Sequence, residues 1–127
     1  MQLKMQALIN FPVFYETVKS QKLPIKTAYK LAQLSRAIEA ELSFYQEKLN
    51  SIIKEYAQLD DNGNPRQTED GRGIRLRPGT EPICFSAMHE LHEIDVTLPD
   101  IFFNLNEFDN VELTVEETGA LLPFLIE

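Results

Sequence analysis

The chain has 127 residues, of which 43% are hydrophobic and 25% are charged, and this composition is typical of one soluble globular domain. Its 20 acidic and 12 basic residues give a net charge of -8, which argues against a general nucleic-acid-binding protein. Cys84 is the only cysteine, so no internal disulfide is expected, and no apolar run is long enough for a membrane span. These features exclude collagen-like, disordered and membrane-spanning classes.

Charge is distributed unevenly along the chain. Residues 1–58 contain eight basic and five acidic residues, whereas residues 59–127 contain four basic and fifteen acidic ones. Residues 17–36 carry five basic residues and no acid, and residues 81–127 carry eleven acids and no Lys or Arg. Such a dipolar chain can neutralise itself internally or pair head to tail with copies of itself, and internal pairing is the simpler expectation.

The first 22 residues predict a short strand followed by a short helix. Apolar and polar residues alternate over 3–9 with the period of a strand. A helix over 13–19 then ends before Pro24, because the residue preceding a proline avoids helical backbone angles. The strand has two candidate partners, residues 94–98 and residues 111–113, and the pattern does not choose between them.

Residues 24–59 predict one long helix. No Gly or Pro interrupts residues 25–59, and a seam of residues recurs at alternating spacings of three and four, as in a coiled coil. The seam positions are Ala28, Leu31, Ser35, Ile38, Leu42, Tyr45, Leu49, Ile52, Tyr56 and Leu59. A helix of about 35 residues is about 50 Å long, so the seam needs a covering surface. The chain's own short helices are one candidate, and a second chain, which the strict repeat favours, is the other.

A basic stripe marks the start of this helix, where Lys22, Lys26 and Lys30 are spaced by four residues. The positive end of the helix dipole lies there too, so an acidic group is expected to compensate the charge. The candidates are the acidic half of this chain, a neighbouring copy and a phosphate backbone, and a protein is preferred because the net charge repels polyanions. The predicted partner-binding residues are these three lysines together with Ala28, Leu31, Ile38, Leu42, Tyr45, Leu49 and Ile52.

Residues 60–82 are polar and rich in turn residues, which predicts a hairpin region. A short strand within it carries Arg75 and Arg77 on one face. Arginines on an exposed strand are typical of a protected sheet edge, and contact with an anion is the alternative.

Residues 83–127 form an acidic part that mixes helix and strand. A helix with Ser86 as an early cap is expected first, and residues 94–98 then alternate as a strand. Thr114 and Glu117 form a capping box at the start of a last helix. The chain is therefore predicted to be a single α+β domain with one long amphipathic helix, shorter helices and a small, mostly antiparallel β-sheet.

One pair of residues resembles a metal-binding arrangement. His89 and His92 are three residues apart and share a helix face, so together they can hold a metal ion. The zinc-protease pattern needs a His where Glu93 stands, and no third ligand is near, so partly exposed histidines are the better interpretation. We therefore predict no catalytic residue, no metal site, no cofactor and no enzymatic activity.

Several segments together carry a likeness to a known family. They are the long helix 24–59, Asp61-Asn62-Gly63, Gly73-Ile74-Arg75-Leu76, Met88-His89-Glu90-Leu91, residues 93–99, Val111-Glu112-Leu113-Thr114 and Leu121-Leu122-Pro123-Phe124. In these segments the chain resembles a small uncharacterised protein family of tailed phages and prophages. The resemblance implies a phage origin, and it transfers no functional residue.

Two expectations for function follow from the resemblance, the seam and the charge asymmetry. The first is a non-enzymatic phage protein that acts in virion structure or assembly, with copies of itself or other phage proteins as partners. The second is an acidic inhibitor of a host defence protein that occupies a basic nucleic-acid groove. Both expectations place the protein in the virion or the host cytoplasm, and neither requires a membrane or a nucleic acid as partner.

Overall fold

The computed structural model describes residues 1–126 and shows an α+β protein, which confirms the predicted fold class. Its helices are α1 (Phe11–Val18), α2 (Ile25–Tyr56), α3 (Glu81–His92) and α4 (Val115–Leu121), and its paired strands are β1 (Gln2–Lys4) and β2 (Asp95–Thr97). Short 3₁₀ helices cover Met5–Leu8, Leu105–Phe108 and Leu122–Phe124. Among residues 1–126, no helix combines the length and the hydrophobicity that crossing a bilayer requires.

The chain forms two compact units. Unit 1 comprises residues 1–42 and 95–126, and unit 2 comprises residues 43–94, so α2 contributes to both. Of the nineteen buried hydrophobic side chains in the described part of the chain, sixteen belong to unit 1. Unit 1 therefore contains the larger core.

The core of unit 1 is built around phenylalanines. Phe11, Phe14 and Val18 follow helical spacings of three and four, so α1 presents one apolar face, and all three are buried. The Phe14 ring packs edge-on against Phe11 and against Phe108, with centroids 5.8 Å apart in both pairs. This face of α1 lies against α4, whose Leu121 is fully buried.

The N-terminal strand pairs with the first of its two candidate partners. β1 runs antiparallel to β2, with Leu3 opposite Val96, whereas residues 111–113 form no strand. The prediction that the strand extends to residue 9 is wrong. The chain enters a 3₁₀ helix at Met5 because Met5 and Leu8, three residues apart, are both buried in the core.

The long helix is continuous, as predicted, but its C-terminal end comes earlier. α2 ends at Tyr56 rather than at residue 59. Ala57 already pairs with Leu76 across a β-bridge, and the Arg77 amide donates to the Tyr56 carbonyl at 2.9 Å. The β-structure that follows the helix therefore takes the backbone groups that a further helical turn would use.

The buried face of α2 in unit 1 differs from the predicted seam. Its buried residues are Thr27, Leu31, Leu34 and Ile38, which are also spaced by three or four. The seam has Ala28 and Ser35 where the structure buries Thr27 and Leu34. Thr27 can be buried in the core because its hydroxyl donates a hydrogen bond to Oε1 of Glu107 at 2.7 Å.

Residues 57–76 form a small closed β-structure in unit 2. The amide of Gln58 donates to the carbonyl of Arg75, the amide of Arg75 to Arg66, and the amide of Arg66 to Gln58, each at 2.8 Å. The three segments therefore pair in a ring, and each of these amides has a partner. The turn between the Gln58 and Arg66 segments contains Gly63, whose φ of 81° lies in the left-handed region that favours glycine.

The structure tests the predicted caps at the starts of two helices, α3 and α4. α3 begins at Glu81 directly after Thr80, so Ser86 lies inside the helix and its predicted role as a cap is wrong. Pro82 sits in the first turn, where a missing N–H costs nothing. The predicted capping box of α4 is confirmed in its Thr114 half, because the Thr114 hydroxyl accepts a hydrogen bond from the Glu117 amide at 3.1 Å. The Glu117 carboxylate accepts from the Thr114 hydroxyl instead of the Thr114 amide.

Candidate protein-binding site

The structure divides the predicted partner-binding residues into buried and accessible ones. Leu31 and Ile38 are 4% and 1% exposed in the core of unit 1, so they offer no surface to another protein in this structure. The half-buried residues are Lys30 and Leu42 in unit 1 and Tyr45, Leu49 and Ile52 in unit 2. Lys22, Lys26 and Ala28 are exposed, so the accessible part of the prediction is the start of α2.

Lys30 pairs with a residue from the acidic half of the chain. Its ammonium group lies 3.0 Å from Oε1 of Glu107 and donates to the Phe102 carbonyl at 2.8 Å. Oε1 of Glu107 also accepts from the Thr27 hydroxyl at 2.7 Å, and Oε2 accepts from the Asn104 amide at 2.7 Å. For this lysine, the compensating charge is internal.

The surroundings of Glu107 favour its ionised form. Burial opposes ionisation, but hydrogen bonds from the Thr27 hydroxyl, the Asn104 amide and Lys30, together with the lysine charge, lower the pKa of Glu107 below its ordinary value. The carboxylate is positioned locally, because Asn104 and Glu107 form a capping box at the 3₁₀ helix Leu105–Phe108. The Lys30–Glu107 pair is therefore held by several hydrogen bonds within unit 1.

An open groove lies beside this ion pair. It encloses about 570 Å³ and is lined by Ile25, Lys26, Tyr29, Lys30 and Glu107, and we call it the α2 groove. Ile25 is 85% exposed and Tyr29 is 65% exposed, although both side chains are large and apolar in character. Exposed apolar groups with a charged rim are typical of a surface that binds another protein.

Two of the three lysines have no acidic partner in the part of the chain that the structure describes. Within residues 1–126, neither Lys22 nor Lys26 takes part in an ion pair. Lys22 precedes α2, which begins at Ile25, so the prediction that it belongs to a stripe on the helix is wrong. The first turn of α2 contains no acidic residue, so Lys26 and the positive end of the helix dipole repel each other. An acidic segment that docks beside the α2 groove would relieve this repulsion.

In unit 2, α3 covers part of the seam. The Tyr45 hydroxyl lies 3.1 Å from Nε2 of His92, and the two rings stack with centroids 5.7 Å apart. Burial raises the pKa of Tyr45. His92 thus uses Nε2 in this contact, and no three His, Cys, Asp or Glu side chains within residues 1–126 lie close enough to hold a metal ion. One of the chain's own short helices therefore lies on the seam at this point.

The two arginines of the predicted strand have partners inside unit 2. Arg77 donates from its guanidinium group to the Glu55 carbonyl, and Arg75 lies 3.9 Å from the Glu69 carboxylate. The Arg75 contact lies within the small β-structure, whereas the Arg77 contact joins the residue after it to the end of α2. They favour the interpretation of these arginines as a protected edge over their use as an anion site.

Sequence reasoning missed the residues that make the α2 groove apolar. Ile25 and Tyr29 lie outside the seam, and their spacing of four, on the face opposite the core, is the signal that marks them. Glu107 was also missed, because its partner Lys30 is 77 residues away in the chain. Its capping box with Asn104 was the local sign available.

Comparison with known proteins finds no match among protein-family models, curated proteins or solved structures. The function is therefore inferred from the α2 groove and the residues around it.

Proposed function

We propose that the chain is a non-enzymatic phage protein that acts in virion structure or assembly through contacts with other proteins. The observation that carries this proposal is the α2 groove, where Ile25 and Tyr29 are exposed beside Lys26, which forms no ion pair within residues 1–126. Apolar surface supplies affinity in such contacts, and charge around it selects the partner. The phage setting rests on the sequence resemblance.

Quantitative mass spectrometry of purified phage particles and assembly intermediates tests this proposal. The particles are those of the phage or prophage that encodes the chain, and we expect the protein at a constant ratio to the major capsid protein across gradient fractions. Tyr29→Ser is expected to lower its incorporation, because Tyr29 lines the α2 groove. The matched control is Phe85→Ser, at a residue that is 62% exposed in unit 2. Particles and intermediates without the protein would contradict the proposal.

Inhibition of a host defence protein is the second candidate, and it draws on the acidic residues of 81–127. Asp95 and Glu107 are already paired with lysines of this chain, which makes this candidate the weaker one. Glu112 and Glu116 favour it, because both are exposed and neither forms an ion pair within residues 1–126. If the chain has this function, it is expected to bind a basic host protein, and the binding should weaken as the salt concentration rises. The binding should also weaken in the double variant Glu112→Gln/Glu116→Gln.

A further inference from the structure

A second exposed apolar surface of unit 1 lies on α4. Val115, Gly119 and Leu122 follow helical spacings of four and three, so they share one face. Val115 is 92% exposed and Leu122 is 60% exposed, and a Cβ at Gly119 would meet nothing within 4 Å. We call these three residues, with the exposed Glu112 and Glu116 next to them, the α4 ridge.

The α4 ridge and the α2 groove both expose apolar side chains and have charged residues of opposite sign near them. The groove is an open, largely apolar surface lined by Lys26, with Lys22 four residues earlier in the chain. The ridge is an exposed apolar face with Glu116 next to Val115 in the chain and Glu112 three residues before Val115. None of these four charged residues forms an ion pair within residues 1–126. The glycine at the centre of the ridge leaves room for close approach, and charges of opposite sign set the orientation of a contact.

We propose that the α2 groove binds the α4 ridge of a second copy of this chain, so that copies join head to tail. This inference rests on the proposed function, because it names the partner of the α2 groove. The groove and the ridge share no residue, so each copy can use both surfaces at once and copies add in series. A small contact of this kind is weak, and its charged rim makes it sensitive to salt.

Sedimentation velocity of the full chain over a concentration series tests the inference. The unmodified protein is expected to form species larger than a dimer as its concentration rises, and to return towards monomer in high salt. Ile25→Ser removes the groove contact and Val115→Ser removes the ridge contact, so each variant alone is expected to be monomeric. Both substitutions lie at strongly exposed positions, so the fold is retained.

A mixture of the two variants gives the sharpest result. One intact groove, on the Val115→Ser copy, can bind one intact ridge, on the Ile25→Ser copy, so an equimolar mixture is expected to form a heterodimer and nothing larger. Phe85→Ser, which is exposed outside both surfaces, is the matched control and is expected to associate like the unmodified protein.

Four outcomes would overturn the inference. They are an unmodified protein that stays monomeric at every concentration, either groove or ridge variant associating normally, a mixture that remains monomeric, and loss of association in Phe85→Ser. A monomeric protein that is nevertheless found in particles would remove this inference and leave the proposed function. If copies associate head to tail but the protein is absent from particles, the inference stands and the proposed function is contradicted.

Discussion

The two halves of α2 continue one sequence repeat but differ in how completely they are buried. In unit 1 the four core residues of the helix are at most 4% exposed. In unit 2 the seam residues Tyr45, Leu49 and Ile52 are only half-buried. Unit 1 buries Thr27 and Leu34 in place of the seam positions Ala28 and Ser35, but the buried residues of both halves are spaced by three or four, so the difference in burial arises from the segments that cover each half.

The covering segments differ in the size of the core that they supply. Unit 2 has Ala57, Cys84 and Leu91 as its buried hydrophobic residues, and it leaves Ile83 and Phe85 more than half exposed. Unit 1 covers its half of α2 with a phenylalanine-rich core. A heptad-like repeat therefore predicts a helix and an apolar stripe, but it does not predict how deeply the stripe is buried. Because its core is smaller, unit 2 is expected to unfold locally at a lower free energy than unit 1.

The largest expected effect compares the same substitution in the two halves. Leu34 is fully buried in unit 1, so Leu34→Ala leaves a cavity and is expected to lower the free energy of unfolding by about 2–5 kcal/mol. Leu49 is half-buried in unit 2, so Leu49→Ala is expected to cost about 1 kcal/mol. Urea denaturation followed by circular dichroism measures both values. Equal losses would mean that the two halves are covered equally well.

The next effect tests the charged contact that ties the start of α2 to unit 1. Glu107→Gln removes the charge that faces Lys30 and weakens the hydrogen bond to Thr27, and it is expected to lower the free energy of unfolding by about 1–3 kcal/mol at neutral pH. Urea denaturation measures the loss. Glu116→Gln is the matched control, because Glu116 is exposed, and a similar loss in both variants would contradict the role of the pair.

The same carboxylate is expected to make unit 1 sensitive to acid. Glu107 has a lower pKa in the folded protein than in the unfolded chain, so its contribution is complete above the unfolded value of about 4.3. It disappears as the pH falls through the lower folded pKa. The difference in stability between the unmodified protein and Glu107→Gln should therefore shrink with acidification, and a difference that grows would contradict this assignment.

A smaller effect is expected from the cap of α4. Thr114→Ala removes the hydroxyl that accepts from the Glu117 amide, and it is expected to cost about 1 kcal/mol, measured by thermal or urea denaturation. Thr118→Ala is the control, because the Thr118 hydroxyl donates only to the Thr114 carbonyl within the same turn. A larger loss in the control would contradict the predicted cap.

The smallest effect is expected in unit 2. Tyr45→Phe removes the hydroxyl that contacts His92 and keeps the stacked ring, so a loss of about 0.5–1 kcal/mol is expected. Hydrogen exchange read residue by residue should show faster exchange in α3, with little change around Leu34. Faster exchange of equal size in both units would show that they open together, and it would contradict the lower opening free energy expected for unit 2.

Features that depend on neighbouring residues were predictable from the sequence. The absence of Gly and Pro over 25–59 predicted the continuous helix α2. Thr114 and Glu117 predicted the cap at the start of α4. Both depend on hydrogen bonds between residues at most four apart, so the local pattern contains all the information they need. The strand near the N-terminus was predicted in type but not in length, because burial of Met5 and Leu8 competes with pairing.

Features that depend on distant residues were decided by the tertiary structure. The core takes Thr27 and Leu34 rather than Ala28 and Ser35, because the hydroxyl of Thr27 meets Glu107, which lies far along the chain. Sequence alone determined the long helix, its repeat and the uneven charge. Packing of segments far apart in the chain determined which side of that helix is covered and which lysine is neutralised, because burial and ion pairing depend on distances in space that no local pattern records.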